Sequence, residues 1–336
     1  MAKQEQDIIS KLKKSGLKGR GGACFPTGDK WDCFRKAKAE KKYIVCNFAE
    51  GDPYMLKEAF LLKNHLAEVV DGVKIALKTF IGSTAFIYLR HDYYKKYKNA
   101  FKKEIGSLPI SLVEKIGGYL AGEETCALEV IEGKKAEPRL RPPYPAQSGL
   151  WGFPTLINNA ETFYCISRIT QEKYKNERLY CLSGYVKDKG AHELKERMTI
   201  REILWQTGNL SKDNDFFVQV GGFLGEFLLP AELDCLLCGL GSVVVFNSRT
   251  TDLIKLVKEK LKFVMQENCD KCTPCREGTY RLYENLNQGV IDEKLAEDIF
   301  LALRETSFCP LGRAAGSCLE SLLRINKFYN GINNGL

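Results

Sequence analysis

Apolar positions in residues 1–172 follow two alternating periods. Tyr43-Ile44-Val45-Cys46 and Ala85-Phe86-Ile87-Tyr88-Leu89 are short unbroken runs that predict buried strands, and Leu56 to Thr79 carries helical spacing as one long helix. Strand and helix patterns in alternation predict a parallel α/β sheet. Over residues 173–249 the runs shorten to Leu179-Tyr180-Cys181-Leu182, Phe216-Phe217-Val218-Gln219-Val220 and Val243-Val244-Val245-Phe246, separated by glycines, which predicts a small mixed α+β insert. From Thr251 onward strand patterning ends. Leu253, Leu256, Val257, Leu261 and Val264 keep helical spacing, so residues 250–336 read as a helical bundle.

With 336 residues and 44% apolar content, the chain can bury a full core and fill two or three domains. No stretch reaches the ~18 to 20 apolar residues of a bilayer span, and Met1 to Ser10 is polar, so a cytoplasmic protein is expected, at most peripheral to a membrane complex. The +8 net charge comes from lysines interleaved with glutamates, as in Lys255 to Lys262, which argues against a nucleic-acid binder. Thirteen cysteines, an odd number, exclude a complete set of internal disulfides and favour metal or cluster ligation.

That expectation falls on Cys269-Asp-Lys-Cys272-Thr-Pro-Cys275-Arg276, with Cys309-Pro310 as the remote fourth ligand. Three thiolates at three-residue intervals can reach three irons of a cubane, and a proline after the remote cysteine also occurs in ferredoxin runs. Structural zinc would instead want a second Cys-x-x-Cys, and none follows Cys309. Cys235-Leu-Leu-Cys238 has ligand spacing but sits among leucines, so two buried thiols are expected there, as at Cys165, Cys181 and Cys318. The three histidines, His65, His91 and His192, fall in no nucleophile-partner motif, which argues against hydrolytic chemistry.

Gly19-Arg20-Gly21-Gly22-Ala23-Cys24-Phe25-Pro26-Thr27-Gly28-Asp29-Lys30 packs glycines beside basic handles. Such a loop lets backbone amides approach a phosphate, with Lys30 or Arg20 to neutralise it, although the spacing is neither a dinucleotide fingerprint nor a P-loop. Three further segments follow in order: Cys46-Asn47-Phe48-Ala49-Glu50-Gly51-Asp52-Pro53, Gly117-Gly118-Tyr119-Leu120-Ala121-Gly122-Glu123-Glu124-Thr125, and Arg141-Pro142-Pro143-Tyr144 running to Asn158-Asn159-Ala160-Glu161-Thr162. Together with the cysteine motif, over about residues 10–325, they resemble the family of FMN- and NADH-binding 51 kDa subunits of respiratory complex I and of NAD-linked or electron-bifurcating hydrogenases and formate dehydrogenases.

The resemblance implies an α/β domain for FMN and nicotinamide nucleotide, a ubiquitin-like β-grasp (soluble-ligand-binding) insert, and a helical domain with one [4Fe–4S] cluster held by Cys269, Cys272, Cys275 and Cys309. It implies that Gly19, Arg20, Gly21, Gly22, Lys30, Asn47 and Glu50 cradle FMN, with Tyr119, Gly122 and Glu123 beside the ring and Asn158, Asn159 and Thr162 at the phosphate. Phe25, Asp52, Glu124, Arg141 and Tyr144 would surround NAD(H). On residue type alone Tyr119 and Tyr144 also read as packing aromatics, and Glu123 as a carboxylate at a helix N-terminus. The implied activity is NAD(P)H oxidation, hydride passing to FMN and single electrons to the cluster. Implied partners are a small thioredoxin-like [2Fe–2S] subunit and a multi-cluster iron–sulfur subunit, in keeping with a chain that shows no second cysteine cluster before Leu336. The alternatives are a divergent electron-transfer scaffold without nucleotide oxidation, and a zinc-stabilised module.

The chain departs from the family pattern at Cys24, Cys33, Ala49, Asp52 and Ala121, and its lead-in to the first motif is short. Ala49 replaces a carboxylate near the flavin, which favours the reduced anion and raises its potential. Fewer carboxylates at the nucleotide edge leave NADP(H) open as donor, with Glu124 opposing it.

Overall fold

A computed structural model describes residues 2–289 and 292–333. Four strands, β1 (Tyr43–Phe48), β2 (Thr84–Leu89), β3 (Ile110–Glu114) and β4 (Thr155–Asn159), form a parallel sheet in the order β3-β2-β1-β4. Register pairs Tyr43 with Thr84 on one side and with Thr155 on the other. Ile44, Cys46 and Phe48 of β1 point into one core with the helices Ala2–Ser15, Thr27–Lys36, Leu66–Thr79 and Ala160–Thr170. Val45 points to the opposite core, covered by Leu128 and Val130 of the helix Glu124–Ile131. A sheet buried on both faces needs continuous apolar runs, which is why β1 and β2 are legible in the sequence.

The long helix expected over Leu56 to Thr79 is two helices, Lys57–Asn64 and Leu66–Thr79, broken at His65 with φ −139° and ψ 25°. His65 Nδ1 meets the Glu68 carboxylate at 3.1 Å, and its ring lies 4.8 Å from Tyr164 and 5.7 Å from Phe60. The break lets the second helix lie on Ala160–Thr170, where a Cβ on Gly72 would come 2.1 Å from the Phe163 carbonyl oxygen.

Five strands make a second sheet, β5 (Glu177–Gly184), β6 (Gly190–Lys195), β7 (Phe216–Val220), β8 (Glu226–Leu228) and β9 (Ser242–Asn247), in the order β6-β5-β9-β7-β8. Only the β5–β9 pair is parallel. The helix Ile200–Gln206 packs on one face, through Ile200, Ile203 and Leu204. Phe217 and Phe227 instead join the core of the C-terminal helices, Leu253–Glu267, Thr279–Asn287, Glu293–Thr306 and Pro310–Asn333. Lys260, wholly buried, ties these regions together by donating to Tyr54 Oη (3.2 Å) and Gln219 Oε1 (3.0 Å), with its ammonium 3.5 Å from the Phe223 ring centroid. No described helix is long and apolar enough to cross a membrane.

Cys235 and Cys238 are exposed, contrary to the expectation of buried thiols. Their segment is an irregular loop in which Leu233 and Leu237 point inward and Leu236 outward, so the cysteines fall on the solvent side. Cys165, Cys181 and Cys318 are buried.

Candidate functional site

In the first sheet the chain moves outward from β1 through β2 to β3, then returns to place β4 on the other side of β1. The carboxyl ends of β1 and β4 therefore flank a topological switch point, the crevice where open α/β sheets bind ligands. A cleft of 470 Å³ opens there. Its walls take Asn47, Ala49, Glu50, Gly51 and Asp52 from the end of β1, and Asn158, Asn159 and Thr162 from the end of β4 and the helix that follows.

The glycine loop closes one side. Gly19 N donates to the Phe25 carbonyl (2.9 Å) and Thr27 N to that of Leu17 (2.8 Å), pinching residues 19–25 into an arch. Arg20 N donates to Thr162 Oγ1 at 3.0 Å, anchoring the arch to the first turn of Ala160–Thr170. Gly22 has φ +108°, where a side chain would be strained, and a Cβ there would meet Leu240 at 3.4 Å across the cleft. Backbone amides at a helix N-terminus, with glycines that let a ligand approach them, form a cradle for an anionic group.

Two charged residues missed by sequence reading hold this cradle. Lys57 is buried, with its ammonium on the Arg20 carbonyl oxygen, on Asn159 Oδ1 (3.1 Å) and on Glu161 Oε2 (3.1 Å). Burial would raise the Glu161 pKa, but Lys57, Arg20 and Arg178 outweigh it and hold the group below its ordinary value. Glu58 and Glu50 exchange backbone bonds, Glu50 N to Glu58 Oε2 (2.8 Å) and Glu58 N to Glu50 Oε1 (2.9 Å), while Tyr93 Oη donates to Glu50 Oε2 (2.8 Å). Burial first, and then the Glu50 charge, push Glu58 up to about 8.

Opposite the arch, Asn47 Nδ2 donates to the Gly122 carbonyl (3.0 Å) and fixes the turn Tyr119–Gly122. Glu123 caps the helix Glu124–Ile131, accepting from Thr125 N (2.8 Å) and Cys126 N (3.0 Å), so it is a helix cap as well as part of the cleft wall. Arg141 pairs with both Glu123 and Glu124, and Lys30 reaches Glu124 Oε2 at 3.3 Å. Asp52 accepts from Tyr54 N (2.9 Å) and from Phe223 N (2.7 Å), joining the cleft to the second sheet, and burial raises its pKa.

Gly19, Gly21, Gly22, Phe25, Lys30, Tyr119, Gly122, Glu123, Glu124, Arg141 and the β1 and β4 residues named above thus share one cleft. Two expected residues stand outside it. The Arg20 guanidinium is buried behind the arch on Glu196 (2.9 Å) and Tyr174 (3.1 Å), and the Tyr144 ring is 55% exposed. Among the departures, Cys24 and Ala49 line the cleft, Ala121 is buried beneath it, and Cys33 faces solvent on Thr27–Lys36.

On the far wall are Pro310, Leu311 and Ala314, from the first turn of Pro310–Asn333. Immediately before them Cys309 lies in one apolar core with Cys272 and Cys275, with Cys269 packed against its edge. Burial pushes the Cys275 thiol up to about 12, and the charges of Cys272, Cys309 and Cys269 add to it. Cys309 rises to about 11 by burial, against the backbone amides of Leu311 and Gly312 that bond its sulfur. Among the described residues no three His, Cys, Asp or Glu groups converge on a single-ion site. Ligands of a four-iron cubane bind separate irons, so their sulfurs need not converge on one point.

A cleft at the switch point of a parallel α/β sheet, with three buried cysteines and a partly buried fourth behind its far wall, defines a ligand-binding α/β protein with a thiol-rich helical region. Family comparison agrees: residues 12–168 match the Nuo51 FMN-binding domain and residues 255–332 the NADH-ubiquinone oxidoreductase-F iron-sulfur binding region. The chain belongs to the family of NADH-quinone oxidoreductase F subunits. It is 32% identical to the NADH-quinone oxidoreductase F subunit 2 of Rhizobium meliloti (strain 1021), over 95% of this chain and 86% of that protein. It is 33% identical to the NADP-reducing hydrogenase subunit HndC of Solidesulfovibrio fructosivorans, over 91% and 72%. A chain of the NAD+-reducing [NiFe]-hydrogenase in the H2-reduced state superposes with a TM-score of 0.85 at 28% identity, over 95% of this chain and 61% of that longer one.

Both groups fit the residues present. For FMN the fit is the arch of glycines, where added Cβ atoms would narrow the cleft or be strained. For a [4Fe–4S] cluster it is four cysteines in a largely apolar pocket, one with amide donors already on its sulfur.

Proposed function

We propose that this chain is the nucleotide-oxidising subunit of a multisubunit redox complex, taking hydride from NADH, with NADPH as the alternative donor, and delivering single electrons through the cysteine site to a partner subunit. The observation that carries this reading is the wall between the two sites: Pro310 and Leu311 line the cleft, and Cys309 next to them lies in one core with Cys272 and Cys275.

Bound FMN would accept hydride at N5 and release electrons singly, chemistry that needs no protein acid or base in the hydride step. The residues then bind and orient. Amides of Gly19, Gly21 and Gly22, with Asn158, Asn159 and Thr162, would hold the phosphate end. Asn47, Glu50, Tyr119, Gly122 and Glu123 would shape the ring pocket, and Lys30 would balance charge. Phe25, 49% exposed at the cleft, is free to stack on the incoming nucleotide, with Asp52, Glu124 and Arg141 beside it. Arg20 supports the arch from behind, and Tyr144 would act only on a nucleotide extending past the cleft. Cys269, Cys272, Cys275 and Cys309 would hold the cluster.

The domains are taken as 1–172 for flavin and nucleotide, 173–249 as a β-grasp insert, and 250–336 for the cluster. The strand order β6-β5-β9-β7-β8, with one helix on the sheet, supports the β-grasp reading. Partners are other redox subunits, a thioredoxin-like [2Fe–2S] protein and a multi-cluster protein, in a cytoplasmic assembly that is at most peripheral to a membrane.

Anaerobically purified protein is tested by adding NADH and NADPH in parallel. Bleaching of flavin absorbance by either supports the reading, and bound flavin that neither nucleotide bleaches overturns it.

A further inference from the structure

Ser307 closes the helix Glu293–Thr306 two residues before Cys309, with its side chain 1% exposed. Its carbonyl is taken by Arg313 Nε at 3.0 Å, yet its hydroxyl has no partner among the described residues. Buried hydroxyls are rarely left so, and an orphan points to a group that completes it. The hydroxyl's location indicates which group. A Cβ built on Gly312 would lie 2.3 Å from Ser307 Oγ and 3.5 Å from Cys275 Cβ, so the hydroxyl and the Cys275 side chain flank the same bare backbone in the first turn of Pro310–Asn333. The nearby hydroxyl of Thr279 is already spent on the Cys275 carbonyl (2.6 Å), and the Leu311 and Gly312 amides on Cys309. Gly312 is the residue that leaves room for the serine between Cys309 and Cys275.

We infer that the Ser307 hydroxyl donates a hydrogen bond to a sulfur of the cluster or its Cys275 ligand and sets the reduction potential of the electron-receiving site. This rests on the cysteine site holding the cluster proposed above. A donor to sulfur stabilises the more electron-rich reduced form over the oxidised one, and so raises the potential. Ser307 is then a positioning and tuning residue, and the iron is held by the four cysteines.

The test is a redox titration of the cluster in the anaerobic holoprotein, followed by electron paramagnetic resonance, with iron content and flavin potential measured on the same samples. Ser307→Ala at full iron content is expected to lower the cluster potential by about tenfold in the oxidised-to-reduced ratio, or about 59 mV for one electron. Ser307→Thr, which keeps the hydroxyl, should restore most of it, and the flavin potential should not move. If the alanine protein sheds iron, Ser307→Cys, a weaker donor of similar size, is measured instead: a smaller lowering supports the inference and a wild-type potential overturns it. An unchanged cluster potential in an iron-replete Ser307→Ala protein also overturns it, leaving the functional reading intact. Wild-type protein without iron overturns both.

Discussion

Cys309 and Pro310 are consecutive residues on opposite sides of one partition, the thiol among the other cysteines and the proline ring in the wall of the cleft. The helix begun by Pro310 supplies that partition. Proline suits the first helical turn because its missing N–H would have had no partner there.

Replacing Cys309 should therefore separate the two sites. Cys309→Ala is expected to lose most of its iron while keeping flavin, because the cradle of residues 19–22 and 158–162 draws nothing from that thiol. Iron and flavin analysis of the same preparation checks this, and loss of both together would contradict it.

The Lys57–Glu161 pair is the buried charge contact on which the cradle rests, with side chains 4% and 2% exposed. Lys57→Met would strand the Glu161 carboxylate and free the Arg20 carbonyl. A cost of about 3–5 kcal/mol is expected. Urea denaturation of the apoprotein measures it, and a change below about 1 kcal/mol would contradict the account.

Glu58 gives the fold a pH dependence with a definite sign. Its folded pKa is raised from 4.5 to about 8, so the native state keeps a proton that the unfolded chain has already lost. This group's contribution is therefore full below 4.5 and falls as pH rises toward about 8. Glu58→Gln should flatten that decline. Denaturation midpoints taken across this range for both proteins provide the comparison.

Gly72 sits where two helices meet most closely. Gly72→Ala would drive a methyl into the Phe163 carbonyl and force the helices Leu66–Thr79 and Ala160–Thr170 apart. About 1–3 kcal/mol of destabilisation is expected, visible as a lower melting temperature.

Phe25 is the exposed aromatic of the arch. Phe25→Ala should raise KM for the nucleotide several-fold, at about 1 kcal/mol for a lost ring contact, with flavin content unchanged. A fall in kcat at unchanged KM would place Phe25 in another role.

The sequence makes visible those parts of the fold and site that depend on neighbours along the chain. The apolar runs that mark β1, β2 and β9 are continuous, that of β7 is broken only by Gln219, and the cysteine spacing is local. What escapes depends on distant partners. His65 breaks a helix because Glu68, Phe60 and Tyr164 surround it, and Tyr164 arrives from another helix. Lys57 and Glu58 look like surface charges of a helix start, and are buried only because the arch and the helix Ala160–Thr170 converge on them. Their one local signal is a place just past the carboxyl end of β1, where α/β sheets gather ligand contacts. Cys235 and Cys238 mislead for the opposite reason: leucine neighbours suggest burial, but the irregular loop buries only Leu233 and Leu237 and leaves the residues between and after them outward.

The cleft takes its walls from the glycine arch near the start of the chain, from Leu224 and Leu240 of the second sheet region, and from Ala314 in the last helix. A ligand seated there is a clamp between the core of the first sheet and the core that the second sheet region shares with the C-terminal helices. By mass action such a clamp stabilises the folded chain by an amount that grows with the logarithm of free ligand concentration over Kd. The protein should thus melt at a higher temperature when the cleft is filled than when it is empty, and its resistance to proteolysis becomes a measure of cofactor loading.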